Sequence, residues 1–88
     1  MEFNPQNAEA YNNRGVVRFR LKDYDGAIGD QTRALKLRPG YAEALSDRGA
    51  ARQFKGDLNG AKADYNQAIQ LNPLFADAWF NRASLRQR

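Results

Sequence analysis

Shifted by 34 residues, the distance from Ala8 to Ala42, the sequence falls on itself. Ala8, Glu9, Ala10, Arg14, Gly15, Arg18, Asp23, Gly26, Ala27, Asp30, Ala34, Leu37 and Pro39 meet identical residues between Ala42 and Pro73. A second shift reaches Ala76, Ala78 and Arg82. Self-similarity at one fixed period constrains a chain more than any local motif, because each unit can bury its apolar face only against its neighbours. A functional surface is therefore expected to be shared between repeats.

Each unit reads as a pair of helices. Ala8, Tyr11, Gly15 and Arg18 recur at the three- and four-residue intervals of one helical face, which predicts a first helix from Ala8 to about Leu21. Lys22 and Asp23 make a short turn with Asp23 as N-cap. Tyr24, Ala27, Ile28, Gln31, Ala34 and Leu35 then form the inward stripe of a second helix that runs to about Leu37. The central unit repeats this as Ala42 to Lys55, a Gly56-Asp57 turn with Gly56 suited to a left-handed position, and Leu58 to Leu71. A fifth helix is expected from Ala76 to about Gln87. Pro39 and Pro73 cannot continue a helix and mark the links between units. Pro5 stands at the same place one period earlier, so residues 1–7 read as the remnant of a preceding repeat or linker. The expected organisation is one domain over 1–88, with repeats at 8–41 and 42–75 and a capping helix at 76–88. The fold class is all-α, a solenoid or α-α superhelix of antiparallel helical hairpins with five helices.

Small residues carry the packing. Gly15 and Gly49 sit mid-helix, where glycine costs about 1 kcal/mol against alanine, so close approach of the partner helix is expected there. Ala27 and Ala61, with Ala34 and Ala68 two turns on, leave room for docking. Tyr11, Leu45 and Trp79 share one position of the period and Tyr24 and Leu58 another, and these large residues fill the remaining space.

At these positions the sequence resembles the tetratricopeptide repeat family. The family's pattern asks for a large residue at position four (Tyr11, Leu45, Trp79), a small one at eight (Gly15, Gly49, Ala83), alanine at twenty (Ala27, Ala61) and twenty-seven (Ala34, Ala68), and proline at thirty-two (Pro39, Pro73). Two departures stand out. The aromatic usual at position twenty-four is present as Tyr65 but replaced by Gln31, and Arg18, Arg52 and Arg86 occupy position eleven. The first repeat is thus expected to pack less well than the second.

Arg14, Arg48 and Arg82 precede the second arginine set by four residues, so the two sets form a ladder on one helix edge. Apolar neighbours flank both sets, and a charge in such a place needs a partner. Asp30 and Asp64 recur on the edge of each second helix and supply one. The ladder reads first as a structural bridge between helices and second as a site for an anionic ligand.

On a helical wheel Glu9, Asn12, Asn13, Val16, Phe19 and Arg20 share the arc away from Tyr11. Glu43, Ser46, Asp47, Ala50, Gln53 and Phe54 match them one repeat later, and Asp77, Phe80, Asn81 and Ser84 continue the row. In a stack of hairpins the first helices line the concave side. The resemblance implies that this groove takes an extended peptide or a partner's helix. Phe19, Phe54 and Phe80 are expected as exposed aromatics, and Asn12, Asn13 and Asn81 as donors and acceptors for a peptide backbone. Some family members clamp the terminal carboxylate of a chaperone's C-terminal peptide with lysine, asparagine and further basic residues. The corresponding positions here read Asn12, Val16, Asp47, Asp77 and Asn81, so no clamp is expected.

Other classes find less support. The chain holds no histidine and no cysteine, its acidic residues recur at positions explained by caps and ion pairs, and no glycine-rich phosphate loop follows a strand, so neither an enzyme nor a cofactor or metal is expected. The net charge of +4 is uneven. Residues 8–41 carry seven basic against four acidic side chains, while 42–75 balance four against four. Nucleic-acid binding along the arginines is accordingly the weaker alternative, since a strong binder shows an unpaired basic face. A third reading is a repeat scaffold, natural or engineered, that folds and self-associates through exposed ends. With no apolar run of membrane-spanning length and no secretory signal, a cytoplasmic location is expected.

Overall fold

A computed structural model describes residues 6–72 and Arg82. The described residues form four helices, α1 (Ala8–Arg20), α2 (Tyr24–Leu37), α3 (Ala42–Lys55) and α4 (Leu58–Leu71), and Arg82 is also helical. The expected fifth helix, with Trp79, Phe80 and Asn81, otherwise lies outside the described residues, as does Pro5.

Local chemistry sets the ends of these helices. Asp23 and Asp57 each accept a hydrogen bond from the backbone N–H three residues on, Gly26 and Gly60 respectively, at 3.0 Å. Such caps satisfy donors that have no partner inside the helix. Asn7 does the same for α1, accepting from the N–H groups of Glu9 at 2.9 Å and Ala10 at 3.2 Å. Asn7, read from the sequence as part of a tail, thus acts as a cap. Gly56 closes α3 in the left-handed region at φ +102°, a conformation that carries no steric cost for glycine. Lys22 holds the equivalent place in the first repeat at φ +65°.

α1 packs antiparallel on α2 and α3 on α4, and α2 joins the two hairpins by packing on α3. Close approach is visible at both mid-helix glycines. A methyl group on Gly49 would sit 2.6 Å from Cε1 of Tyr65, and one on Gly15 would sit 3.0 Å from Nε2 of Gln31 and 3.2 Å from the Ala27 carbonyl oxygen. Ala27, Ala34, Ala44, Ala51, Ala61 and Ala68 are fully buried, joined by Leu45, Tyr65 and Ile69. Identical or equivalent positions differ in depth because their neighbours differ. Ala51 has no exposed surface beneath α2, whereas Val17, one repeat earlier, is 54% exposed.

Among the described residues Tyr65 is the largest fully buried side chain, and its hydroxyl donates to Gln53 Oε1 at 2.8 Å. Burial first, then the carboxylates of Asp64 and Asp47, push its pKa up to about 12. A tyrosine raised above its ordinary value of about 10 supports folding fully below pH 10 and loses that support as the pH climbs from about 10 to about 12. Two units correspond to about 2–3 kcal/mol. Urea midpoints measured from pH 9 to 11.5 should therefore fall more steeply for the native chain than for Tyr65→Phe.

Candidate functional site

The face shared by α1 and α3 is not uniformly open. Asn13, Arg20 and Phe54 are exposed, Val16, Phe19, Asp47 and Ala50 are half-buried, and Asn12, Ser46 and Gln53 are buried. Asn12 therefore does not present itself to a peptide backbone. Its Nδ2 donates to Asp47 Oδ2 at 3.2 Å and so ties α1 to α3. Burial raises the pKa of the Tyr41 hydroxyl, an effect that the neighbouring Asn12 amide partly offsets. A wheel gives the angle of a side chain, and the neighbouring helix decides its depth.

Between the two first helices lies a cavity of about 250 Å³, lined by Val16, Phe19, Arg20, Gln31, Asp47 and Ala50. Five of these are groove residues by their helical arc. Gln31 comes from α2, where the sequence placed it on the inward stripe and marked it as a departure from the usual aromatic, but not as a groove residue. It is fully buried, and neither its Nε2 nor its Oε1 has a hydrogen-bond partner. Leaving a buried polar group unmet costs about 1–3 kcal/mol. Its counterpart Tyr65 fills the same position in the second repeat and reaches Gln53, whose own counterpart is Phe19. The first repeat thus trades a satisfied aromatic for a short amide beside a cavity.

Next to the cavity Phe19 stacks on its neighbours. Its ring centroid lies 5.2 Å from Phe54 and 5.6 Å from Tyr24, and Tyr24 and Phe54 are 5.9 Å apart. Phe54 is 59% exposed, so the cluster presents an aromatic edge to solvent. An ion pair between Lys55 and Asp25 bridges the same end of the two hairpins.

The arginine ladder is internal wiring. Arg14 grips Asp30 through Nε at 2.9 Å and Nη2 at 2.8 Å, and Arg48 grips Asp64 with the same two distances. Arg18 adds a contact to Asp30 at 3.3 Å and Arg52 one to Asp64 at 2.9 Å. The Asp30 hydrogen bond, outweighing the effect of burial, raises the pKa of Arg14 further. Arg48 Nη1 also donates to Thr32 Oγ1 at 3.2 Å, and Arg82 Nη1 to Asn66 Oδ1 at 2.8 Å, so each reaches back to the same position of the preceding hairpin. Arg86 lies outside the described residues. Among the described residues no group of acidic, histidine or cysteine side chains is placed to hold a metal, and no helix is long and apolar enough to cross a membrane.

Known proteins share this fold. The tetratricopeptide repeat model matches residues 8–41 and a TPR repeat model matches 55–88. The first TPR domain of Spaghetti (RPAP3), solved with the HSP90 peptide SRMEEVD, is 34% identical with a TM-score of 0.91, covering 96% of this chain and 67% of that one. The second TPR domain of human RPAP3, solved with the HSP70 peptide SGPTIEEVD, is 32% identical with a TM-score of 0.90, covering 93% and 68%. The first TPR domain of human RPAP3 is 34% identical with a TM-score of 0.92, covering 96% and 66%. This chain thus spans about two thirds of each of those chains. Comparison with curated protein sequences gave no match. The period, the close approach at the mid-helix glycines, the hairpin stacking and these matches agree, and the chain belongs to the tetratricopeptide repeat family.

Proposed function

We propose that the chain is a protein-interaction module whose α1–α3 groove takes an extended peptide or a partner's helix, and that it does so without a carboxylate clamp. The observation that carries this reading is the cavity between Val16, Phe19 and Ala50 beside the exposed edge of Phe54, an apolar seat rimmed by polar side chains. Such seats next to aromatic edges are where protein partners gain most of their contact energy. The related RPAP3 domains were solved with peptides ending in EEVD. At the positions that would meet such a terminus this chain places Asn12, Val16, Asp47, Asp77 and Asn81. Asn12 is buried and bonded to Asp47, whose carboxylate lines the cavity and would repel an acidic tail. The groove is therefore suited to neutral or mixed peptides.

A peptide-array screen of the full chain, repeated with Asn13→Ala and Phe54→Ala, tests this. Hits should be lost or weakened about tenfold or more by Phe54→Ala, in keeping with truncation of an aromatic anchor. SRMEEVD should not bind in the micromolar range. Micromolar affinity for it would defeat the clamp-free reading, and hits indifferent to both substitutions would move recognition off this face.

A further inference from the structure

We infer that the cavity under the groove is an amide-reading subsite, taking the side-chain carboxamide of an asparagine or glutamine in the bound peptide and pairing it with Gln31. The inference rests on the groove function proposed above and states what that groove selects.

Three features lead there. Gln31 is fully buried, borders the cavity, and has both its N–H donors and its carbonyl acceptor without partners. The walls are apolar at Val16, Phe19 and Ala50, while the charges at Arg20 and Asp47 have opposite sign and favour no net charge in the occupant. In the second repeat Tyr65 occupies the equivalent position with its hydroxyl already bonded to Gln53, so the amide is particular to the first repeat.

Ligand chemistry then narrows. A primary carboxamide carries a donor and an acceptor on the same edge, and two such groups face to face make two hydrogen bonds and leave nothing unmet. A trans backbone amide presents its N–H and C=O on opposite edges and meets only one of Gln31's two needs. A carboxylate offers no donor and lies near Asp47, and an ammonium offers no acceptor and lies near Arg20. An aliphatic side chain fills volume but leaves both amide atoms stranded. Because neither atom reaches solvent, pairing requires the Gln31 side chain to turn into the cavity it borders. The turn exchanges two unmet groups for two hydrogen bonds, which is the direction that buried polar groups favour.

The test is a randomised peptide library selected on the full chain, followed by anisotropy titrations of the best peptide and of its Gln→Glu and Gln→Met versions (or Asn→Asp and Asn→Leu). One peptide position should be enriched in asparagine or glutamine, and either replacement should weaken binding at least about fivefold, as loss of a paired amide implies. With Gln31→Phe, which fills the cavity, or Gln31→Met, which removes the amide at similar length, the three peptides should bind alike. Peptides that depend on Phe54 yet show no asparagine or glutamine preference overturn the subsite and leave the groove standing, the cavity then holding water only. The same holds if the preference survives in both Gln31 variants. A chain that selects no peptide at all defeats the groove reading and this inference with it.

Discussion

Asp64→Ala should cost about 3–5 kcal/mol of folding stability, the range for removing one partner of a buried ion pair. Asp64 is nearly inaccessible and takes three guanidinium contacts, two from Arg48 and one from Arg52. Its loss leaves Arg48, only 15% exposed, without a carboxylate, and leaves Arg52, 26% exposed, with Asp57 alone at 3.9 Å. It also loosens Arg48, which holds Thr32 of the preceding hairpin. The first repeat provides the control. Asp30 is as buried, but its partners Arg14 and Arg18 are 41% and 39% exposed, so water re-solvates them and Asp30→Ala should cost only about 1–2 kcal/mol. A domain of this size has about 4–13 kcal/mol to lose. The Asp64 variant should therefore melt at least about 12 °C lower and approach unfolding at room temperature in little urea. Helicity followed through thermal and urea titrations separates the two variants. Equal losses would show that exposure of the arginines does not govern the ladder.

The ladder also shows what could be read without coordinates. Arginines four residues apart, with an aspartate recurring one helix later, announced their pairing because both spacings follow from helical geometry. The helix bounds were legible for the same reason, since Asp23, Asp57 and Gly56 are chemically suited to the ends they occupy. Depth was not legible. Asn12 shares an arc with Arg20, yet α3 brings Asp47 over one of them and leaves the other in solvent. Val17 and Ala51 hold one position of the repeat, and only the second has a helix above it. Asn7 was grouped with the residues before it because a cap is a single side chain with no period to betray it. At Gln31 the sequence showed a missing aromatic, but the cavity depends on Phe19 standing where the second repeat has Gln53, a pairing across α1 and α2 that the repeat alignment alone does not weigh.

Gln31→Phe should make the protein more stable, an unusual sign for a substitution at a fully buried residue. The present amide leaves a donor and an acceptor unmet at about 1–3 kcal/mol each. A phenyl ring removes both groups and gains about 1.5–3 kcal/mol from apolar burial in the adjoining cavity. Gly15 clears the space for the ring as Gly49 does under Tyr65, where even a methyl group would collide. Phenylalanine suits the site better than tyrosine, because a hydroxyl there would meet Phe19 instead of the acceptor that Gln53 supplies to Tyr65. Against these gains stand about 1–3 kcal/mol of strain from packing a larger side chain. The balance is about 0.5–8 kcal/mol in favour of folding, centred near about 4, which calorimetry should register as a rise of at least about 2 °C in Tm. Gln31→Met, which removes the unmet amide without adding a ring, should give a smaller rise and so divide the effect between polar relief and filling. No rise in either variant would mean that the amide is already satisfied. A rise in both, accompanied by weaker peptide binding, would mark Gln31 as a residue kept at the expense of stability because the groove uses it, the usual pattern where a site and a core compete for one position.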